Sequence, residues 1–387
     1  RVGDRVRISA QLIQVRDQTH LWAESYERDA HDTLALESDV AIAIASQVEQ
    51  RLPAPHPLAL RANARPVNPD AYDLYLKGRF YWNERTEEGF TQAIESFQQA
   101  IEKDSNYAQA YAGLADAYSL LGSMANVEIP RKEAMPRART AALKALEIDE
   151  TLAEAHTSLA FVRMHYDWDW PGAEREFLRA IALNPDYATA HQWHAFNLMV
   201  LGRTEDSLAE IQRALELDPL SLIINTDLAE LLYCARRYDE AIRQGRKVIE
   251  MDPGFALAHA FNGLAYLQMK QFPQAIAEFQ EGARVSGNRI DLLSCLAVAY
   301  AVAGRAGEAR EILQQLEKMS TQRFDMPVYL FRVHGALGER DQAFFWLEKA
   351  FLDRDGSLIL LQVDPGNDPL RSDPRFQDLL RRMALPR

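Results

Sequence analysis

Two histidines three residues apart, His191 and His194, are the residues in this chain whose type and spacing come nearest to metal chemistry. On a helix they share a face and could supply two zinc ligands, with His156 or His165 as a third. A metal site also needs orienting partners around its ligands, and the sequence supplies no such set, so the histidines read as core side chains. Trp168 and Trp170, in Tyr166-Asp167-Trp168-Asp169-Trp170-Pro171, could stack a ligand; in a long turn they are expected to pack on the adjacent helix ends. There is no phosphate loop, nucleophile elbow, catalytic carboxylate pair or Cys/His pair. Gly304 and Gly307 are followed by no Lys-Ser/Thr, and Asp239-Glu240 and Glu205-Asp206 stand where helices start and complement the helix dipole. No catalytic residue, cofactor or metal is therefore assigned.

Composition narrows the remaining classes. Of 387 residues, 48% are hydrophobic and 26% charged, enough for a large core. Asp and Glu number 56 against 43 Lys and Arg, a formal charge of -13, which repels nucleic acid and anionic lipid. Cys234 and Cys295 are too far apart along the chain's repeats to pair, and no run of about 18 apolar residues predicts membrane insertion.

The elements that hold these side chains follow from a repeat. Ala180, Ala214, Val248, Gly282, Leu316 and Ala350 stand 34 residues apart, each seven after Ala173, Ser207, Ala241, Ala275, Ala309 or Ala343. Between them lie Phe177, Ile211, Gly245, Phe279, Leu313 and Leu347, so positions i, i+4 and i+7 define one helix face. The phrase continues backwards as Ala138, Ala142, Ala145 and as Ala93, Phe97, Ala100, with spacings of 35 and 45; the longer interval holds an insertion, Met124 to Met135. Asn184-Pro185, Asp218-Pro219 and Asp252-Pro253 close helices, and Gly122, Gly202, Gly304 and Gly338 are expected in tight turns.

A 34-residue, two-helix period resembles the tetratricopeptide (TPR) repeat family. Tyr111, Leu114, Ala115 and Tyr118 copy its first helix, and His156, His191 and His259 fall where the family places a ring. The resemblance implies a mainly α fold: a TPR α-solenoid, a right-handed superhelix of about eight hairpins over residues 70–352, closed by a capping segment at 353–387 that covers the last repeat. Upstream, alternating Val6, Ile8, Ala10 and Leu12, then His20 to Tyr26, predict a hairpin, and Val40, Ile44, Val48 and Leu52 a helix. This stretch, residues 1–52, resembles the last third of a TolB-like α/β domain, and five prolines make 53–69 a linker. Bacterial proteins pairing these domains carry a winged helix, a serine/threonine kinase or a nucleotide cyclase upstream, so the chain is expected to be part of a longer one.

The resemblance also places a concave partner-binding groove on the first helices: Gln192, Trp193, Phe196 and Met199 in repeat four, Thr226, Asp227, Glu230 and Tyr233 in repeat five, and Leu257, Phe261 and Gln268 in repeat six. None is basic, which disfavours a clamp for a chaperone's terminal carboxylate. Rings interleaved with carboxylates suit a protein or peptide segment bearing Lys or Arg. The expected function is non-enzymatic protein interaction, as the regulatory part of a bacterial signalling or transcription-control protein; the alternatives are the regulatory region of a kinase or cyclase, or a stand-alone assembly scaffold.

Overall fold

The computed structural model describes residues 5–14, 19–29, 40, 67–123, 129–320 and 327–385. The expected amino-terminal helix, apart from Val40, most of the proline-rich linker and residues 124–128 of the insertion lie outside them. Strands β1 (Arg5–Gln14) and β2 (Thr19–Asp29) pair antiparallel, with an irregularity between Leu12 and Ile13.

Sixteen helices then follow as eight hairpins: α1 (Pro69–Asn83) and α2 (Glu87–Lys103); α3 (Ala108–Ser123) and α4 (Arg131–Ile148); α5 (Ala153–Val162) and α6 (Trp170–Leu183); α7 (Ala188–Val200) and α8 (Thr204–Leu217). The second half continues with α9 (Leu222–Cys234) and α10 (Tyr238–Met251); α11 (Ala256–Gln268) and α12 (Phe272–Val285); α13 (Ile290–Val302) and α14 (Ala306–Ser320); α15 (Pro327–Ala336) and α16 (Arg340–Leu352). Two short 3-10 turns, Gly356–Leu360 and Pro365–Leu370, lead to α17 (Pro374–Arg382).

First and second helices differ because they have different surroundings. In α9, ten of thirteen residues are buried, whereas α10 buries only Ala241, Ile242, Gly245 and Val248. An inner helix touches neighbours all round; an outer one needs a single apolar stripe. The small residues of the repeat phrase sit where helices cross: Ala173, Ala241, Ala275, Ala309 and Ala343 have no exposed surface. Gly245 breaks the pattern of large middle residues because Asn262 fills its space; a Cβ there would come within 2.1 Å of the Asn262 Oδ1.

One backbone position recurs at every 34th residue in the left-handed region: Trp168, Gly202, Arg236, Lys270, Gly304 and Gly338, with φ between 59° and 79°. Glycine is the favoured residue there, yet three of the six carry side chains. Gly122, expected in a turn, lies inside α3 instead, packed against Ala134 and Met135.

The tail re-enters the array. Helix α17 packs on α16, where Arg382 donates to both Glu348 oxygens at 2.6 and 2.8 Å, but the residues between them reach much further than the last repeat. Leu358, Ile359, Leu361, Leu370, Phe376, Leu379 and Met383 are all buried in one continuous core with helices of the earlier repeats. No described helix is long and apolar enough to cross a membrane.

Candidate functional site

The tail packs against inner helices of several repeats. After α16, the Lys132 ammonium meets Asp353 at 2.9 Å, and buried Arg131 donates to the Arg354 carbonyl at 3.2 Å and to that of Ser123 at 3.3 Å. The Arg354 guanidinium lies 4.1 Å from the centre of the Trp168 ring, which also leans on Phe351 at 5.0 Å. Asp364 accepts from the Tyr233 hydroxyl at 2.8 Å and pairs with Arg332 at 3.3 Å, while Asp368 takes both terminal nitrogens of Arg236 at 2.7 and 2.9 Å. The Trp170 indole donates to the Met383 carbonyl at 2.9 Å. Both tryptophans thus touch the carboxy-terminal tail: a turn that closes one hairpin becomes the seat of a segment more than 180 residues away.

Of the eleven residues expected to line a groove, seven are buried by their neighbours. Trp193, 5% exposed, leans on Phe161 at 4.5 Å, and Phe196 and Met199 are buried beside it. Gln192 donates to Asp227 at 2.7 Å, Thr226 to the Leu222 carbonyl at 2.7 Å, and Tyr233 is taken by the tail. Glu230, Leu257, Phe261 and Gln268 keep partial exposure. Ring-to-ring packing and the tail's hold on Tyr233 thus leave Glu230, Leu257, Phe261 and Gln268 as the accessible members of that set.

Three inner carboxyls feel their burial. Burial, opposed by the Gln192 hydrogen bond and by Arg85, pushes Asp227 up to about 7. Burial together with the charges of Asp227 and Asp364, against Arg332, pushes Glu230 up to about 8. Asp116 rises to about 6 through burial, even though Arg79 sits 3.2 Å away and Ser158 donates to it at 2.5 Å. Burial thus shifts all three carboxyls toward their neutral form.

The histidines form a ladder that spacing alone had not revealed. His156, His191 and His259 each meet a glutamate of the second helix in the same hairpin, Glu176 at 2.7 Å, Glu210 at 2.6 Å and Glu278 at 2.7 Å, and in repeat five Gln244 donates to Asn225 at 2.8 Å. The other nitrogen of His156 and of His191 contacts a backbone carbonyl, of Glu150 and Pro185. His165 stacks on Phe161 at 3.9 Å, and burial with the nearby Arg131 charge pushes it down to about 3. Among the described residues no group of three or more His, Cys, Asp or Glu side chains is arranged to hold a metal ion. The signal was present in the sequence, since residues 176, 210, 244 and 278 are Glu, Glu, Gln and Glu in step with the histidine position.

Two cavities among the described residues border the inner helices. One, about 850 Å³, opens at a mouth between Arg79, Trp82, Glu84 and Arg85 of the first hairpin and the amino-terminal turns of α7, α9, α11 and α13. Trp82 lies between two guanidinium groups, Arg79 at 4.3 Å and Arg85 at 3.7 Å from the ring centre. Gln192 and Leu257 of the expected groove set line this mouth, and Leu220, 79% exposed, stands on its rim. The second, about 340 Å³, lies under the 364–370 segment and includes Tyr233 and Gln268.

Residues 87–122 match the model of the TPR repeat, and residues 194–256 that of the tetratricopeptide repeat. The transcriptional regulator HilA of Salmonella typhimurium is 26% identical over 176 residues, 46% of this chain and 31% of that protein. Putative adenylate cyclase 3 of Rhizobium meliloti is 28% identical over 174 residues, 45% of this chain and 22% of its own length. This chain therefore spans less than a third of the curated relatives it matches. The solved structure of the human IFIT1 dimer with m7Gppp-AAAA shares the fold, with a TM-score of 0.51 at 18% identity over 91% of this chain and 80% of that one. The architecture is a TPR α-solenoid, and an array of such repeats is a protein–protein interaction module.

Proposed function

We propose that this array is the regulatory, non-catalytic part of a bacterial signalling or transcription-control protein, and that it takes an extended partner segment bearing Lys or Arg at the mouth of its larger cavity. The observation that carries the place is Leu220: a leucine 79% exposed on the rim of the 850 Å³ cavity, next to Asp218. Glu84 and Asp218 on that rim have no ion-pair partner among the described residues; of the arginines there, Arg79 is paired with Asp116, Arg289 with Asp291, and Arg85 lies over the Trp82 ring. An exposed apolar anchor flanked by free carboxylates suits a cationic, partly apolar segment, and the overall charge of -13 favours its approach. Of the sequence-derived groove, Gln192 and Leu257 are retained as contacts.

The regulatory reading is supported by the likeness to the transcriptional regulator HilA. On this reading the β1–β2 hairpin belongs to a TolB-like segment at residues 1–52. The likeness to a putative adenylate cyclase favours a second reading, the regulatory region of a cyclase.

The test is fluorescence anisotropy with two labelled extended peptides of equal apolar content, one Lys-rich and one Glu-rich. Preferential binding of the Lys-rich peptide is expected, weakened by salt, slowed by Asp218→Asn with Glu84→Gln, and weakened about tenfold by Leu220→Ser. Equal binding of both peptides, or indifference to all three substitutions, overturns the mouth as the site.

A further inference from the structure

The 340 Å³ cavity is bounded by α11, α13 and α15, which supply Leu264, Leu267, Val298 and Phe331, and by the tail segment 364–370, which roofs it with Pro369 and Leu370. Its size falls at the small end of the roughly 300–1,000 Å³ usual for small-molecule sites, and its walls are mainly apolar with a few polar groups. The charges on those walls are almost all spent. Asp364 holds Tyr233 and Arg332, and Asp368 holds Arg236 and Arg371. Lys270 is the exception: it lines the cavity, is exposed, and has no ion-pair partner among the described residues. Gln268 stands two residues before it on the same wall.

We infer that this cavity binds a small amphipathic anion, with the apolar body between the inner helices and the 364–370 roof and the acid group at Lys270. An apolar interior with one unspent cation at its edge selects for that division of the ligand; a neutral molecule of the same shape forfeits the charge-assisted hydrogen bond. Because the roof belongs to the tail, a ligand that requires the closed roof stabilises the tail in place. The inference is independent of the proposed partner site at the mouth, whose lining shares none of these residues.

The test uses decanoate as the probe, below its micelle concentration, with decan-1-ol as the neutral control, by isothermal titration on the full chain. One decanoate per chain is expected, bound about tenfold more tightly than the alcohol, together with slower hydrogen exchange in residues 364–370. Lys270→Gln, a change at an exposed position, brings decanoate to the level of the alcohol, and Val298→Phe, which fills the cavity, removes both. The inference is overturned if decanoate does not saturate at one per chain, or if the parent and the Lys270→Gln chain bind it equally. Should Val298→Phe fail to fold, the Lys270→Gln comparison and the exchange measurement still decide.

Discussion

The indole N–H of Trp170 donates to the main-chain carbonyl of Met383, 213 residues further along the chain, at 2.9 Å. Both groups are buried, so each would lack a partner without the other. The bond joins the third hairpin to the end of the tail and turns a linear stack of repeats into one that closes on itself.

Trp170→Phe keeps most of the packing and removes that donor. The unpaired carbonyl of Met383 should cost about 1–3 kcal/mol, with the loss concentrated in the tail. Urea unfolding measures the first, and hydrogen exchange over residues 374–385 the second; unchanged exchange there would show that the bond does not hold the tail.

Gly356→Ala should be costly for a different reason. A Cβ at residue 356 would lie 2.2 Å from Nη1 of Arg131, which is 5% exposed and held by the carbonyls of Ser123 and Arg354. Overpacking of about 1–3 kcal/mol is expected. In a double-mutant cycle the Arg131→Ala background should make the glycine substitution nearly neutral, since the obstructing group is gone; additive costs would place the strain elsewhere.

The histidine ladder predicts a pH profile. Burial lowers the His191 pKa, but hydrogen bonds to Glu210 and the Pro185 carbonyl outweigh it and leave it above 6.5; the bond to Glu278, opposed by burial, raises His259 likewise. Raised histidines stabilise fully below pH 6.5, and that contribution is lost as pH climbs through the folded values. Burial raises Glu210, yet the bond to His191 and the nearby His194 ring, 3.9 Å away, prevail and hold it down to about 2, so its contribution is present above pH 4.5 and is lost as pH falls toward 2. The pairs therefore stabilise most between about pH 4.5 and 6.5. His191→Gln with His259→Gln should lower the melting temperature at pH 5.5 more than at pH 8; an equal drop at both would remove ionisation from the account.

Glu230 gives the opposite kind of variant. Its carboxyl is raised from 4.5 to about 8 by burial and by the charges of Asp227 and Asp364, against Arg332. Between those pH values the folded chain holds a proton that the unfolded chain has released, so stability falls as pH rises. Glu230→Gln should melt like the parent at pH 4 and higher than the parent at pH 8. A parallel offset at both would mean that this carboxyl does not titrate across the window.

The sequence by itself determined the repeat. Ala173, Ala241 and Ala309 are spaced so that helices can cross closely, and each is fully buried, because a hairpin and its nearest neighbours make contacts local enough to leave a period in the chain. The positive-φ turn residues were legible only where they are glycine; Trp168, Arg236 and Lys270 adopt the same backbone without announcing it, since the recurring geometry of the hairpin, not the residue, imposes it. Tertiary structure alone decided which inner rings are already engaged. Tyr233 and Trp170 carry no mark that distinguishes a ring awaiting a partner from one already engaged. Asp364 and Met383, which engage them, lie 131 and 213 residues away in a tail that has no repeat of its own. A single contact of that separation has no period to leave in a sequence; it exists because the stack curls far enough to bring its third and fifth hairpins against its own end.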